Sequence, residues 1–158
     1  MTIDADAFRS LLGRFASGIT IVTTVDHGGR DVGMTVSAFA SVSLSPPLVL
    51  TCVAREASVF FEITAAPRIV VNILAEGQES LSRRFAGPAW DRFEGLGVRR
   101  APGGAPILDE VLAWCECRVV QRHDAGDHVI LVAEVEGGEV RDEKPLLYYR
   151  GGYAQLRR

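Results

Sequence analysis

A small β-barrel or β-sandwich with a few short helices is the fold class this chain predicts, on three observations. Short β-branched and aliphatic runs recur along the chain, separated by Gly, Pro and Asp turns. They do not alternate regularly with crossover helices, so a doubly wound parallel sheet is not expected. Closing the sheet would also remove the edges that such apolar strands otherwise expose.

The elements follow in order. Asp4 or Asp6 can cap a first helix with Phe8, Leu11, Leu12 and Phe15 on one apolar face. Gly18 to Val25 is rich in β-branched residues and reads as a strand. After the turn His27-Gly28-Gly29-Arg30-Asp31, a long strand from Gly33 to Ser45 completes a hairpin and stops at Pro46-Pro47. Leu48 to Val53 is a third strand, Ser58 to Ala65 a short helix ended by Pro67, and Arg68 to Leu74 a fourth strand. Gln78 to Phe85 is helical. The Gly/Pro-rich segment from Gly87 to Pro106 is too long for a plain connection and reads as a functional loop or lid. Strands return at Trp114–Gln121 and His128–Val135, joined by a loop over Arg122–Asp127, and the aromatic run Pro145–Tyr153 closes the chain.

Composition bounds the function. The chain has 158 residues, 47% hydrophobic and 23% charged, which fits one ordered domain over residues 1–158 burying about 70% of its unfolded surface. A net charge of −3 and a pI near 5.6 argue against nucleic acid or an anionic membrane as the main partner. No apolar run reaches the roughly 18 residues of a membrane span, and Met1-Thr2-Ile3-Asp4 opens no secretion signal, so a cytoplasmic protein is expected. Cys115 and Cys117 share a strand face with no second pair to make a zinc site. Cys52, Cys115 and Cys117 therefore read as buried free thiols, and no metal is expected.

The segment Gly33–Ser45 carries the most chemistry. Its even positions (Met34, Val36, Ala38, Ala40, Val42, Leu44) are apolar; its odd ones include Thr35, Ser37, Ser41, Ser43 and Ser45. A row of short hydroxyls leaves space and lines it with donors and acceptors for a flat polar ligand, unless each hydroxyl is satisfied by nearby backbone. No Gly-x-Gly-x-x-Gly follows a strand, and neither a P-loop nor a Gly-x-Ser-x-Gly elbow exists. The carboxylates are scattered. Any enzymatic reactivity would come from a bound cofactor.

Seven segments then take on meaning together: Phe15–Thr24, Gly33–Phe39, Ser41–Leu48, Val71–Leu74, Arg84-Phe85-Ala86, Gly126-Asp127-His128 and Pro145–Gly151. In this order they resemble the flavin reductase-like family, the short-chain NAD(P)H:flavin oxidoreductases that serve two-component flavin monooxygenases. The resemblance implies a mostly β fold, a Greek-key split β-barrel of the FMN-binding type with a few short flanking helices. It also implies a homodimer that binds FMN or FAD near the subunit interface. NADH or NADPH would deliver hydride to the flavin, and the reduced flavin would pass to a separate monooxygenase.

The resemblance also nominates residues. Met34, Thr35, Val36, Ser37 and Ala38 would run along the isoalloxazine ring, with Ser43 towards the ribityl chain or phosphate. Cys52, Val53 and Ala54 would contact the ring through backbone. Ser58 with the Val59 amide would hold phosphate at a helix start, or Ser58 would simply cap that helix. Arg84 (or Arg83, one residue out of register) would reach phosphate, and Phe85 and Ala86 would cover the flavin, unless Phe85 is core. Gly126, Asp127 and His128 would lie near the nicotinamide, with His128 orienting it or aiding proton balance, or merely starting a strand. Tyr149 or Tyr153 would stack near the ring or plug the C-terminus. Asn72 more readily fixes backbone than ligand. Two rival readings stand beside the reductase: a split-barrel flavin carrier or sensor, and a ligand-free interaction barrel.

Overall fold

The computed structural model describes residues 1–157. Asp4 caps helix α1 (Ala5–Leu12), its Oδ1 accepting from the Ala7 amide at 2.8 Å. The apolar face expected of this helix exists but meets nothing in the chain: Phe8, Leu11, Leu12 and Phe15 are all exposed. A two-residue strand β1 (Ser17–Gly18) leads into β2 (Thr20–Val25), which pairs antiparallel with β3 (Asp31–Val36). Asp26 closes their turn by accepting from the Gly28 and Arg30 amides, both at 2.9 Å.

The long hydroxyl-faced strand expected from Gly33 to Ser45 is two strands. β3 ends at Val36, and β4 runs from Phe39 to Leu44, with a corner at Ser37-Ala38. β4 pairs not with β3 but with β5 (Pro47–Ala54), through a tight turn at Ser45-Pro46 whose peptide bond is cis. The apolar periodicity of the sequence runs on through the corner, but the faces switch there: Met34 and Val36 point into the barrel before it, and Phe39 after it. The apolar set does not stay inside: Val36 is buried, whereas Val42 and Leu44 are 49% and 93% exposed.

After β5 come α2 (Phe60–Ala65), β6 (Arg68–Ile73), a single 3-10 turn (Glu76–Gln78) and α3 (Glu79–Ala86). The Gly87–Pro106 segment is less irregular than its composition suggests. It holds β7 (Val98–Arg100), which pairs with β8 (Pro106–Leu108). β9 (Ala113–Ala125) and β10 (His128–Val140) then form a ribbon much longer than expected, leaving only Gly126-Asp127 as the turn. Residues 122–127, beyond the expected end of the strand, are exposed and carry no large apolar side chain that would mark them as strand. β11 (Leu146–Tyr149) and β12 (Gly152–Gln155) close the chain against β1.

Seven strands make one antiparallel sheet in the order β3-β2-β6-β9-β10-β5-β4. Its two edges, β3 and β4, are consecutive in the chain. Going from Val36 to Phe39 spans at most about 11 Å, so the sheet must curl until its edges nearly meet. The result is a mostly β, open barrel, a split barrel. Inside it lie Val22, Val36, Val53, Ile69, Val71 and Leu131. A second core, with Ile19, Ile21, Leu74, Phe85, Leu108 and Leu146, lies under α3. Each such fully buried aliphatic or aromatic side chain contributes about 1.5–3 kcal/mol. Asn72, fully buried, ties the two layers: Nδ2 donates to the Ile21 carbonyl at 2.9 Å, and Oδ1 accepts from the Leu108 amide at 3.0 Å. Among the described residues no helix is long and apolar enough to cross a membrane, and no side-chain cluster has the makings of a metal site.

Candidate flavin and nicotinamide site

The seam of the barrel builds a pocket. Thr35 leaves β3 on the face that α3 covers, and its hydroxyl donates to the Ser82 carbonyl at 2.7 Å. Ser82 is itself buried and shares a 2.8 Å hydrogen bond with the Tyr153 hydroxyl. Tyr153 meets Tyr148 edge to face at 5.4 Å, because the two are opposite partners in the β11–β12 ladder. The Arg83 guanidinium lies 4.7 Å over the Tyr153 ring. Thr35, Ser82, Tyr148 and Tyr153, with Ile19, Ser37 and Ala86, line a pocket of about 200 Å³. Four hydroxyls (Thr35, Ser37, Ser82 and Tyr153) line it; Thr35 spends its proton on the Ser82 carbonyl and keeps its oxygen to accept, while Ser37 and one of the Ser82–Tyr153 pair keep a donor.

The corner links this pocket to β5. The Cys52 amide donates to the Ala38 carbonyl at 3.0 Å. Along β5 and β10, Ala54 stands opposite His128, and Cys52 opposite Ile130, so Cys52, Ala54, Ile130 and His128 share the outer face of the sheet. Burial pushes the Cys52 thiol up, which keeps it protonated and unreactive at neutral pH. At the end of β5 the Arg55 amide donates to the Asp127 carbonyl at 2.9 Å, and the Arg55 guanidinium pairs with Asp124 at 2.5 Å. The Gly126-Asp127-His128 turn is thereby pinned beside Ala54. Asp127 Oδ1 lies 2.7 Å from His128 Nδ1, and that hydrogen bond holds the carboxyl below its usual range.

A second cleft opens on the same face of β3, at Gly33. Its floor is Arg92, which is only 6% exposed and donates to the Gly33 carbonyl at 2.7 Å and to the Gly87 carbonyl. Arg92 also reaches the Ser58 hydroxyl at 3.5 Å. Gly33 is required here: a Cβ would stand 2.9 Å from the Phe85 ring and 3.1 Å from Phe93.

Thr35, Ser37 and Ala86 thus fall in one pocket, and Ser58 and Val59 in the neighbouring cleft. The side chains of Met34, Val36 and Val53 pack into the barrel core, which leaves only their backbone facing outward. Several residues stand differently from expectation. Phe85 is fully buried between the sheet and Phe93, so its ring is core and covers no ligand. The Arg84 guanidinium is taken up by the Asp91 and Glu94 carbonyls, where it anchors the following loop. Tyr149 lies at the β11–β12 turn, 41% exposed, and it is Tyr148, on the opposite face, that reaches the pocket. Ser58 does not cap α2, which starts two residues later and has no side-chain cap. Ser43 lies on β4 beyond a bulge, opposite Leu48.

Ser82, Tyr148 and Arg92 were not anticipated from sequence. Ser82 is one helical turn before Phe85, so a helical wheel places both on the buried face of α3. Arg92 had a signal too: a cation between Trp90 and Phe93 in a segment otherwise rich in Gly and Pro.

Fold and site define an open β-barrel with a hydroxyl-lined pocket where its two edges approach. The chain belongs to the flavin reductase like domain family, whose model matches residues 12–157. It is 43% identical over 95% of its length to the reductase subunit of stachydrine N-demethylase from Rhizobium meliloti, and 42% identical over 97% to a flavin reductase (NADH) from Kitasatospora aureofaciens. It spans 82% of the Kitasatospora protein, but 65% of the stachydrine subunit and 48% of a probable flavin reductase from the same Rhizobium. Among solved structures, an NADH:FAD oxidoreductase from Streptomyces globisporus, in complex with NAD and FAD fragments, superposes with a TM-score of 0.91. That match has 32% identity and covers 99% of this chain and 97% of that one.

Proposed function

We propose that this chain is an NAD(P)H:flavin reductase that reduces FMN or FAD with NADH or NADPH and hands the product to a separate flavin-dependent monooxygenase. The observation that carries the reading is the Ser37-Ala38 corner. It brings the Thr35 and Ser37 hydroxyls beside the end of β5 and, through it, Ala54 and His128. A flavin's pyrimidine edge needs both donors and acceptors, and the hydroxyl set of the seam pocket supplies both. A bound flavin would supply the redox chemistry, a two-electron reduction by one hydride from the nicotinamide; the residues would hold, orient and shield it and, at His128, could provide a proton. Thr35, Ser37 and the backbone of Met34, Val36 and Ala38 grip the ring edge. Ser58 and Arg92 offer donors to phosphate. His128, fixed by Asp127, orients the nicotinamide carboxamide or supplies a proton.

The same reading takes the chain as a cytosolic homodimer. The outer face carrying Leu50, Cys52, Ile130 and Val132 is the apolar surface that a second copy would cover. Nicotinamide oxidation in air, measured with NADH and NADPH and with FMN or FAD added, tests the proposal. Oxidation that saturates with free flavin supports it and reports both preferences. Flavin that binds without any oxidation would make the chain a flavin carrier instead.

A further inference from the structure

We propose that Cys115 and Cys117 form a peroxide-responsive dithiol that closes to a reversible disulfide within β9. The site stands apart from the flavin pocket. Only the source of its oxidant rests on the reductase reading, since reduced flavin released into air yields hydrogen peroxide.

Geometry carries the proposal. Residues two apart on a strand face the same side, and Cys115 and Cys117 both pack into the barrel core. Their Sγ atoms lie 3.6 Å apart, with the Cys117 thiol donating to the Cys115 sulfur. Exposure separates the two. Cys117 is fully buried, whereas Cys115 keeps part of its surface in solvent. The hydrogen bond between them lowers the Cys115 thiol below its usual range and raises Cys117. An accessible sulfur with thiolate character, beside a protonated one that can resolve it, is the arrangement of a redox-sensing pair. Cys52, pushed up by burial, lacks this activation.

The strand has room to close the bridge. Two strand residues stand about 6.6 Å apart, at the upper end of the span a disulfide crosses, so closure bends β9 at Glu116. The ladder is already irregular there. On β10, Val135 faces Cys117 and Gly137 faces Glu116, which leaves Glu136 as a bulge. Gly138 faces Cys115, so β10 sets no side chain against the bend. Strain in such a bridge keeps it open to reduction by thiols.

The step balances. The Cys115 thiolate attacks one peroxide oxygen, the O–O bond breaks, and the departing hydroxide takes up the Cys115 proton as water, leaving a sulfenic acid. The Cys117 sulfur then attacks the Cys115 sulfur and the S–O bond breaks. The Cys117 proton leaves with that hydroxyl as a second water. The two thiols are oxidised by two electrons, and one peroxide is reduced.

The test treats the reduced full chain with hydrogen peroxide, then counts and maps its thiols after unfolding and trypsin. Cleavage after Arg100 and Arg118 keeps both cysteines on one fragment, 101–118. The proposal expects the three free thiols to fall to Cys52 alone, with fragment 101–118 lighter by two hydrogens and dithiothreitol restoring both. Cys117→Ala keeps the core apolar and removes the resolving thiol, so dimedone should trap Cys115 as its sulfenic acid. If that variant does not fold, Cys115→Ala replaces it, and Cys117 should then stay a thiol under peroxide. Peroxide that leaves the pair reduced, oxidises Cys52 first or links two chains overturns the proposal. A protein that reduces no flavin yet forms the bridge with added peroxide loses the reductase reading and keeps this site.

Discussion

The amide of Cys52 donates to the carbonyl of Ala38 at 3.0 Å, and this bond ties the two halves of the site across the seam of the barrel. On one side lies β3 with Gly33 and Thr35; on the other lies the end of β5 with Ala54 facing His128. Small residues at 37 and 38 let the chain turn there without filling the space beside it.

Thr35→Val keeps the shape of the side chain and removes its bond to the Ser82 carbonyl. That carbonyl keeps its helical partner within α3, so losing the second bond should cost about 0.5–1.5 kcal/mol of stability. Urea unfolding checks it, and flavin affinity should fall as well. A variant as stable as wild type would place the Ser82 carbonyl in contact with water.

Ser58→Ala should weaken flavin binding by about 1–2 kcal/mol, the scale of a hydrogen bond to a charged group. Stability should barely change, because Ser58 is exposed and caps no helix. Unchanged affinity in a flavin titration removes Ser58 from the site.

His128→Ala should raise KM for NADH more than KM for flavin, since the residue sits on the far side of Ala54 from the seam pocket. Steady-state kinetics with each substrate varied in turn decides this. Equal effects on both would mean that the Asp127–His128 pair serves only to start β10.

Cys52 should resist alkylation at neutral pH. Its folded pKa is raised above the ordinary thiol value of 9.0 by burial, so at any given pH a smaller fraction is thiolate than in the unfolded chain. The rate, followed by peptide mass spectrometry, should keep rising beyond pH 9 and jump on unfolding. Fast labelling at neutral pH would mean that the thiol is activated.

Most strands were legible in the sequence because one face of each is buried and apolar, as in β2 and β6. The Ser37-Ala38 corner was not, since the apolar spacing of the sequence continues with period two while the chain turns its faces over, so that Phe39 replaces the even positions inside the barrel. The outer end of the β9–β10 ribbon escaped for the opposite reason: with both faces in solvent, residues 122–127 carry no large apolar side chain. Thr35 and Ser37 line the seam pocket and Ser58 the neighbouring cleft, while His128 lies beside Ala54 outside both. Arg84 and Phe85 line neither: a sequence motif cannot distinguish a side chain aimed at a ligand from one that anchors a loop or fills a core. Arg92 went unseen because its importance comes from burial, which only the packing of Gly33, Gly87 and Phe93 around it creates.

Reduction of flavin by NADH in the absence of oxygen tests the central claim most directly. The protein is mixed with flavin and NADH, and the yellow absorbance is followed in wild type and in NADH deuterated at nicotinamide C4. The account predicts bleaching that depends on the protein, saturates with NADH and slows on deuteration. Flavin that stays bound and yellow under excess NADH and NADPH would contradict it.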